Sequence, residues 1–556
     1  MTSRAIQQSR WLHWLAAVIV GLLAVVYFYR GFFHSGFALV QGNIFDGRLT
    51  SVISQHWSDP WQFGSILDTG IFYPIGQGLM YSDTFLAQGL FSAPLIWLGA
   101  DASIAFQLTL LFISFVGYLS SFAIMRLLGS PWPIAVATGL LVNFSNGMLV
   151  ASAHPQLITL SLFPAALLLL LQSMRSTSRN RQIILSTLAG GLYGLILYSA
   201  FYIGWMLALG MLLFLLFWLL VTSSTTRRAI LARVGWLRPL SLIAGFLPFA
   251  LITLFTYLPL LQSGIVRELG DISAFAPTAR DLLGVSPTNV VWSLPLSHLL
   301  GTLRDEEFAM APTPLLIAVS LVALLIGIKR RHSSPLMGAG VAAIGTGLVL
   351  WLLPIKWGPF FPWTLVYQIP GASAIRAIGR IEIVAGFFLV FGLALVATLV
   401  WKSSTRLNRR ETGLATLVIA VLLIEQLNFR VEQKVEVDDV QALRTIAPPS
   451  EQCDSFYIAP PLDTRRVYEN QADPIIDSAI AMGVTAQIIA RSQGIPSLNG
   501  YSGGEPVDWP LGPATVIDYP KYEETLAEYI QRFGLENVCG LDLASGSWFP
   551  HPRTTR

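Results

Sequence analysis

The chain is a succession of apolar runs, each long enough to cross a bilayer, separated by connections in which the basic residues gather. An α-helix rises about 1.5 Å per residue, so about 20 apolar residues cover the roughly 30 Å hydrocarbon layer. Runs of this kind lie at 11–29, 103–126, 131–147, 155–174, 183–200, 204–222, 240–261, 312–328, 336–353, 379–401 and 413–428. They predict an α-helical polytopic membrane protein of about eleven spans, because only helices and closed barrels satisfy their backbone polar groups inside lipid. The first run follows Arg4 and Arg10, as a signal peptide would. Its apolar core exceeds about 15 residues and no small-residue cleavage site follows, so it reads as the first span.

Composition agrees with a bilayer as the solvent. Only 12% of residues are charged and the mean hydropathy is +0.61, whereas an ordinary soluble domain carries about 25% charged residues. A net charge of +3 gives no support to a nucleic-acid partner, whose binding rests on neutralising many phosphates.

The basic residues orient the spans. The connections holding Arg175, Arg179 and Arg181, then Arg227, Arg228 and Arg233, then Lys329, Arg330 and Arg331, then Lys402, Arg406, Arg409 and Arg410 alternate with basic-poor ones. The positive-inside rule places these four, and the N-terminus, on the cytoplasmic side of the plasma (inner) membrane. That alternation leaves no room for Phe85–Leu98 as a full span, so it is expected to lie in the interface. The first external loop then runs from about 30 to 101, too long for a plain connection. Residues 262–312 and 354–379 are external as well.

The expected division is a transmembrane domain over 1–429 and an external, periplasmic α/β domain over 430–556. In the latter, 455–459 (SFYIA) and 537–543 (NVCGLDL) read as strands and 473–492 and 520–533 as helices. The two cysteines, Cys453 and Cys539, become neighbours if those strands pair, and an oxidising compartment would join them. The last stretch, SWFPHPRTTR, is expected to fray.

Candidate chemistry collects on the external side. Asp46, in the sequence FDGR, is the leading candidate for a base: a carboxylate just outside the bilayer takes a proton from a hydroxyl when its neighbours keep it ionised. A turn or helix cap is the structural alternative. Asp83 in YSDTF and His154 in SAHPQL are further titratable candidates, Asp83 also as a cap for the interfacial helix. Arg376 and Arg380 precede an apolar span and, on a helix, share one face. Two guanidiniums there suit a phosphate, which they bind bidentately, and headgroup snorkelling is the alternative. Lys356 adds charge in the same loop, whereas the mixed-sign loop from Arg267 through Asp271, Arg280, Asp281 and Arg304 to Glu306 and Glu307 reads as solvated. In the tail, Tyr501 and Trp509 within SLNGYSGGEPVDW are candidates to stack on sugar faces, a glycine-rich packing turn being the alternative. No transition-metal spacing, P-loop, GxSxG or dinucleotide fingerprint is present, so no cofactor is expected.

The arrangement resembles the GT-C superfamily of membrane glycosyltransferases, particularly bacterial YfhO-like membrane proteins. The resemblance covers most of the chain and rests on FDGR (45–48), FYPIGQGLMYSD (72–83), AHPQ (153–156), IRAIGR (375–380) and SLNGYSGGEP (497–506). It implies transfer of a sugar from a polyprenyl-phosphate carrier, outside the membrane, by an inverting displacement onto a glycan, lipid or protein acceptor. By the same resemblance the acid of the first loop, Asp46, is the base, and Arg376 and Arg380 hold the lipid phosphate. Arg48 and Tyr501 complete the candidate substrate contacts. Many members carry two adjacent acids in that loop, whereas Gly47 and Arg48 follow Asp46 here, which leaves Asp83 as a substitute base.

Two other classes compete. A transporter or flippase of a lipid-linked substrate predicts charges or breaks inside paired spans, and few charges interrupt these. A non-catalytic envelope-assembly protein predicts that the loop carboxylates and arginines are dispensable.

Overall fold

The computed structural model describes residues 3–262, 267–403, 409–449, 452–459, 474–512, 515 and 519–551. Arg406 and residues 552–556 lie outside them. Among the described residues nine helices are long and apolar enough to cross a membrane, from Trp11–Phe28 to Ile378–Ser403. The apolar runs at 312–328 and 413–428 also form helices, Pro314–Arg330 of 17 residues and Arg409–Ile424 of 16. The chain is a multi-pass membrane protein. The segment at 85–98 becomes the 12-residue helix Leu86–Trp97, about 18 Å long and too short to cross.

Proline sets where several helices begin. Pro314 and Pro335 occupy the first helical turn, where the missing N–H is not needed. Helix Pro335–Leu352 gains a further donor match from Ser334, whose hydroxyl accepts from the Leu336 N–H. Its inner face meets helix Ile381–Ser403 in a cluster of Met337, Ile344, Leu389 and Val396, with Ala323 from the neighbouring helix.

The chain divides into two compact units. The first comprises Met1–Arg30, Leu110–Leu254 and Gly264–Glu432. One end of this unit is tied by a buried polar network. Asn146 Oδ1 accepts from the side-chain amides of Asn289, at 3.0 Å, and Asn428, at 2.8 Å. The Glu425 carboxylate accepts from Trp292 Nε1 and from the Leu315 and Leu316 N–H groups. Its two oxygens thus satisfy two of the N–H groups that the N-terminus of helix Pro314–Arg330 leaves without a partner inside the helix.

The second unit comprises Gly31–Thr109, Phe255–Ser263 and Gln433–Arg556. The first long loop therefore belongs with the tail, and the tail's contribution starts at Gln433. Strand β1 (Leu39–Val40) pairs antiparallel with β2 (Val435–Glu436). In the tail, β3 (Ser455–Ile458) runs parallel to β4 (Val538–Asp542), with helices Pro474–Gln493 and Tyr519–Phe533 beside them. Cys453 and Cys539 form a disulfide. The stretch expected to fray instead supplies β5 (Ser547–Pro550), antiparallel to β4, because Trp548 packs edge-on against Phe456 and gives its N–H to the Ala447 carbonyl.

Candidate functional site

In the first unit, three residues far apart in sequence converge on one carboxylate. Pro155 disfavours a helical conformation at the residue before it, and His154 accordingly has φ −107° and ψ 90° just after helix Asn146–Ala151. Its Nε2 lies 3.2 Å from Glu307 Oε1. Glu307 sits in a one-turn 3-10 helix, Glu306–Phe308. Arg380 closes another, Ile378–Arg380, at the start of helix Ile381–Ser403. Arg380 Nε donates to both Glu307 oxygens, at 3.1 and 2.9 Å, and Nη2 donates to Oε1 at 2.5 Å. Gly379 makes this approach possible, since a Cβ there would stand 2.6 Å from the Glu307 carbonyl oxygen.

The cluster is largely out of water: the side chains of Arg380, Glu307 and His154 are 11%, 15% and 9% exposed. Burial alone would push the Glu307 carboxyl up. The Arg380 guanidinium and His154 outweigh burial and hold it well below the usual carboxylate range. Glu307 is therefore an ionised anchor that positions Arg380 and His154. For Glu307 this corrects the expectation of a solvated loop, whose Asp271 and Arg280 are exposed; the other exception is Asp281. That side chain is 5% exposed and accepts from the Thr278 N–H and hydroxyl and from Arg304 Nη1, at 2.8 to 2.9 Å.

Arg376 and Arg380 do not share a helical face. Ala377 (φ −86°, ψ 73°) leaves the helical region between them, as does Ile375 (φ −93°, ψ 107°) just before Arg376. Tyr202 holds this shape. Its hydroxyl donates to the Ala374 carbonyl and accepts from the Arg376 N–H, both at 3.0 Å, while the Arg380 guanidinium lies 5.7 Å from its ring. The Arg376 guanidinium is exposed, lies 4.6 Å over the Phe275 ring, and makes no ion pair among the described residues. Lys356 Nζ donates to the Ser273 hydroxyl at 2.7 Å.

Glu307 and Tyr202 carried no local signal in the sequence. Glu382 did. An acid in the opening turn of an apolar span is costly in lipid and so marks itself. It is 2% exposed, and its Oε1 has no hydrogen-bond partner among the described residues.

The remaining candidates belong to the second unit. Asp46 is the first residue of helix Asp46–His56, and the Asn43 side chain accepts from the Phe45 and Asp46 N–H groups. Asn43 thus does the capping, and the Asp46 carboxylate lies in the first turn, half-buried. Gly47 has no room for a second acid: a Cβ would stand 2.8 Å from the Gly42 backbone and from Val435. Arg48 is buried and pairs with Asp439 at 3.1 Å. Asp83 lies just before helix Leu86–Trp97, whose N-cap position is held by Phe85 at φ 52°.

Two of the motifs quoted above pack together in this unit. The Phe72 and Tyr73 N–H groups donate to the Asn499 and Ser497 carbonyls. Trp509 is 5% exposed, edge-on to Phe72 at 4.6 Å, with its N–H on the Leu498 carbonyl. The expectation that Trp509 stacks on a sugar is corrected, since its ring is buried in this core and its donor is taken. Tyr501 is half-buried. Among the described residues no group of three or more His, Cys, Asp or Glu side chains is placed to hold a metal ion.

Comparison with solved structures decides the fold. The oligosaccharyltransferase of Archaeoglobus fulgidus in its apo form aligns over 95% of this chain and 69% of its own, with TM-score 0.50 and 13% identity. The chain shares the fold of that protein. A second structure of the same protein, complexed with Zn and sulfate, aligns over 87% of this chain and 62% of its own, with TM-score 0.46 and 13% identity. No protein-family model matches the chain, and no curated protein sequence matches it significantly.

Proposed function

We propose that this protein is a GT-C membrane glycosyltransferase that moves a sugar from a polyprenyl-phosphate-linked donor to a glycan, lipid or protein acceptor outside the membrane. The observation that carries the reading is the fold, aligned over 95% of the chain with a protein described as an oligosaccharyltransferase. Asp46 is the base for the acceptor hydroxyl, with Asp83 as its substitute. Arg376, exposed and free of any carboxylate partner among the described residues, takes the lipid phosphate as charge develops on it. Arg380 is already committed to Glu307, so it acts by positioning the loop that presents Arg376. A donor that is activated through its sugar–phosphate linkage, with the polyprenyl phosphate as leaving group, fits a chain with no nucleotide-binding fingerprint.

The test is mass spectrometry of envelope glycans and lipids from cells lacking the protein, complemented with wild type, Asp46→Asn or Arg376→Ala. Loss of one sugar, restored by wild type and by neither variant, is the expected result. An unchanged profile, or full rescue by both variants, favours a transporter or an assembly protein instead.

A further inference from the structure

At the N-terminal end of the first span a groove of about 450 Å³ opens between helices Ser3–Phe28, Ala102–Leu127 and Phe163–Arg175. Its wall is apolar: Trp14 stands edge-on to Phe122 at 4.9 Å, with Leu168 beside them. Its rim is cationic, carrying Arg126 and Arg175 with Gln172 between them in sequence. Each arginine spends one donor on helix termination. Arg126 Nη1 donates to the Ser130 carbonyl and Arg175 Nη2 to the Leu127 carbonyl, both at 2.5 Å. Capping of the last carbonyls accounts for one N–H of the five on each guanidinium.

Neither arginine makes an ion pair among the described residues. The sequence offers none nearby either, since no Asp or Glu occurs before Asp46 or between Asp101 and Glu268, the stretches that supply all three helices. A third cation adds to the imbalance: Lys402 Nζ donates to the Leu128 carbonyl at 3.1 Å. The C-terminal helix dipole, about half an elementary charge, offsets only part of this.

We propose that the groove binds one anionic phospholipid, its phosphate held by Arg126 and Arg175 and an acyl chain laid against Trp14 and Phe122. Forked guanidiniums match phosphate oxygens, and a free phosphate would leave the aromatic wall uncovered. None of the residues lining the groove is one proposed above for the transfer chemistry.

Native mass spectrometry of the full chain, released from nanodiscs of phosphatidylglycerol or phosphatidylcholine, reads the site directly. Wild type should retain one phosphatidylglycerol at least tenfold more strongly than phosphatidylcholine. Arg126→Gln/Arg175→Gln should lose that preference. Trp14→Ala, which removes an exposed ring without touching charge, should weaken retention of both lipids. Equal retention of the two lipids by wild type, or an undiminished preference in the double variant, would overturn the proposal. So would displacement of phosphatidylglycerol by millimolar inorganic phosphate, which would make the ligand a free anion.

Discussion

Arg380→Met removes three hydrogen bonds from the Glu307 carboxylate, which is 15% exposed and keeps His154 as its remaining side-chain partner among the described residues. Methionine refills much of the arginine's stem volume, so the loss isolates the charge. Leaving one member of a buried pair uncompensated costs about 3–5 kcal/mol. Glu307→Gln in the same background removes the stranded charge and should recover most of that loss, giving a coupling energy of about 2 kcal/mol or more. The assay is SDS-driven unfolding in mixed micelles, followed by tryptophan fluorescence, on wild type, both single variants and the double. A pH series supplies the second reading. Because the folded Glu307 carboxyl titrates below its ordinary 4.5, the unfolded chain takes up the proton first. Its stabilising contribution is complete above that value and declines as the pH falls below it. Glu307→Gln should flatten that decline. An Arg380→Met loss under about 1 kcal/mol, or coupling near zero, would refute the reading of the cluster as an ionised anchor.

Other perturbations test the second unit. His56 is 1% exposed, and burial followed by the Arg491 guanidinium lowers its titration from 6.5 to about 4. The unfolded chain binds that proton first, so acidification from pH 6.5 to 4 should cost about 3 kcal/mol, a loss that His56→Gln removes from the pH–stability curve. Gly47→Ala should cost about 1–3 kcal/mol through overpacking, measured as a lowered melting temperature in detergent. Reduction of the Cys453–Cys539 disulfide, which closes a separation of 86 residues, should destabilise the tail by about 4–5 kcal/mol. Intact mass after alkylation without reductant should show no added label.

Much of this architecture was legible because it is local. Hydropathy marked the helices, and the runs SFYIA and NVCGLDL announced β3 and β4, which place Cys453 and Cys539 within a bond of each other. What was hidden is long-range. Glu307 sits among acidic neighbours in a polar stretch, and nothing there discloses that its partners stand at His154 and Arg380. The spacing of Arg376 and Arg380 suggested a helix until Tyr202, 174 residues earlier, took the Arg376 N–H. Trp509 looked like a sugar platform because a glycine-rich segment surrounds it, and a composition of that kind does not distinguish a cleft rim from a core plug.

The grouping of Gly31–Thr109 with the tail sets an order of events during synthesis. Ile71 and Phe72 share their core with Phe456, Leu498 and Trp509, yet more than 300 residues are made between Thr109 and Gln433. At about 5–20 residues per second that interval lasts about 15–60 s. Through it the newborn loop waits without the partner that covers Ile71 and Phe72, so this half of the core closes only after the last residues of the chain are made.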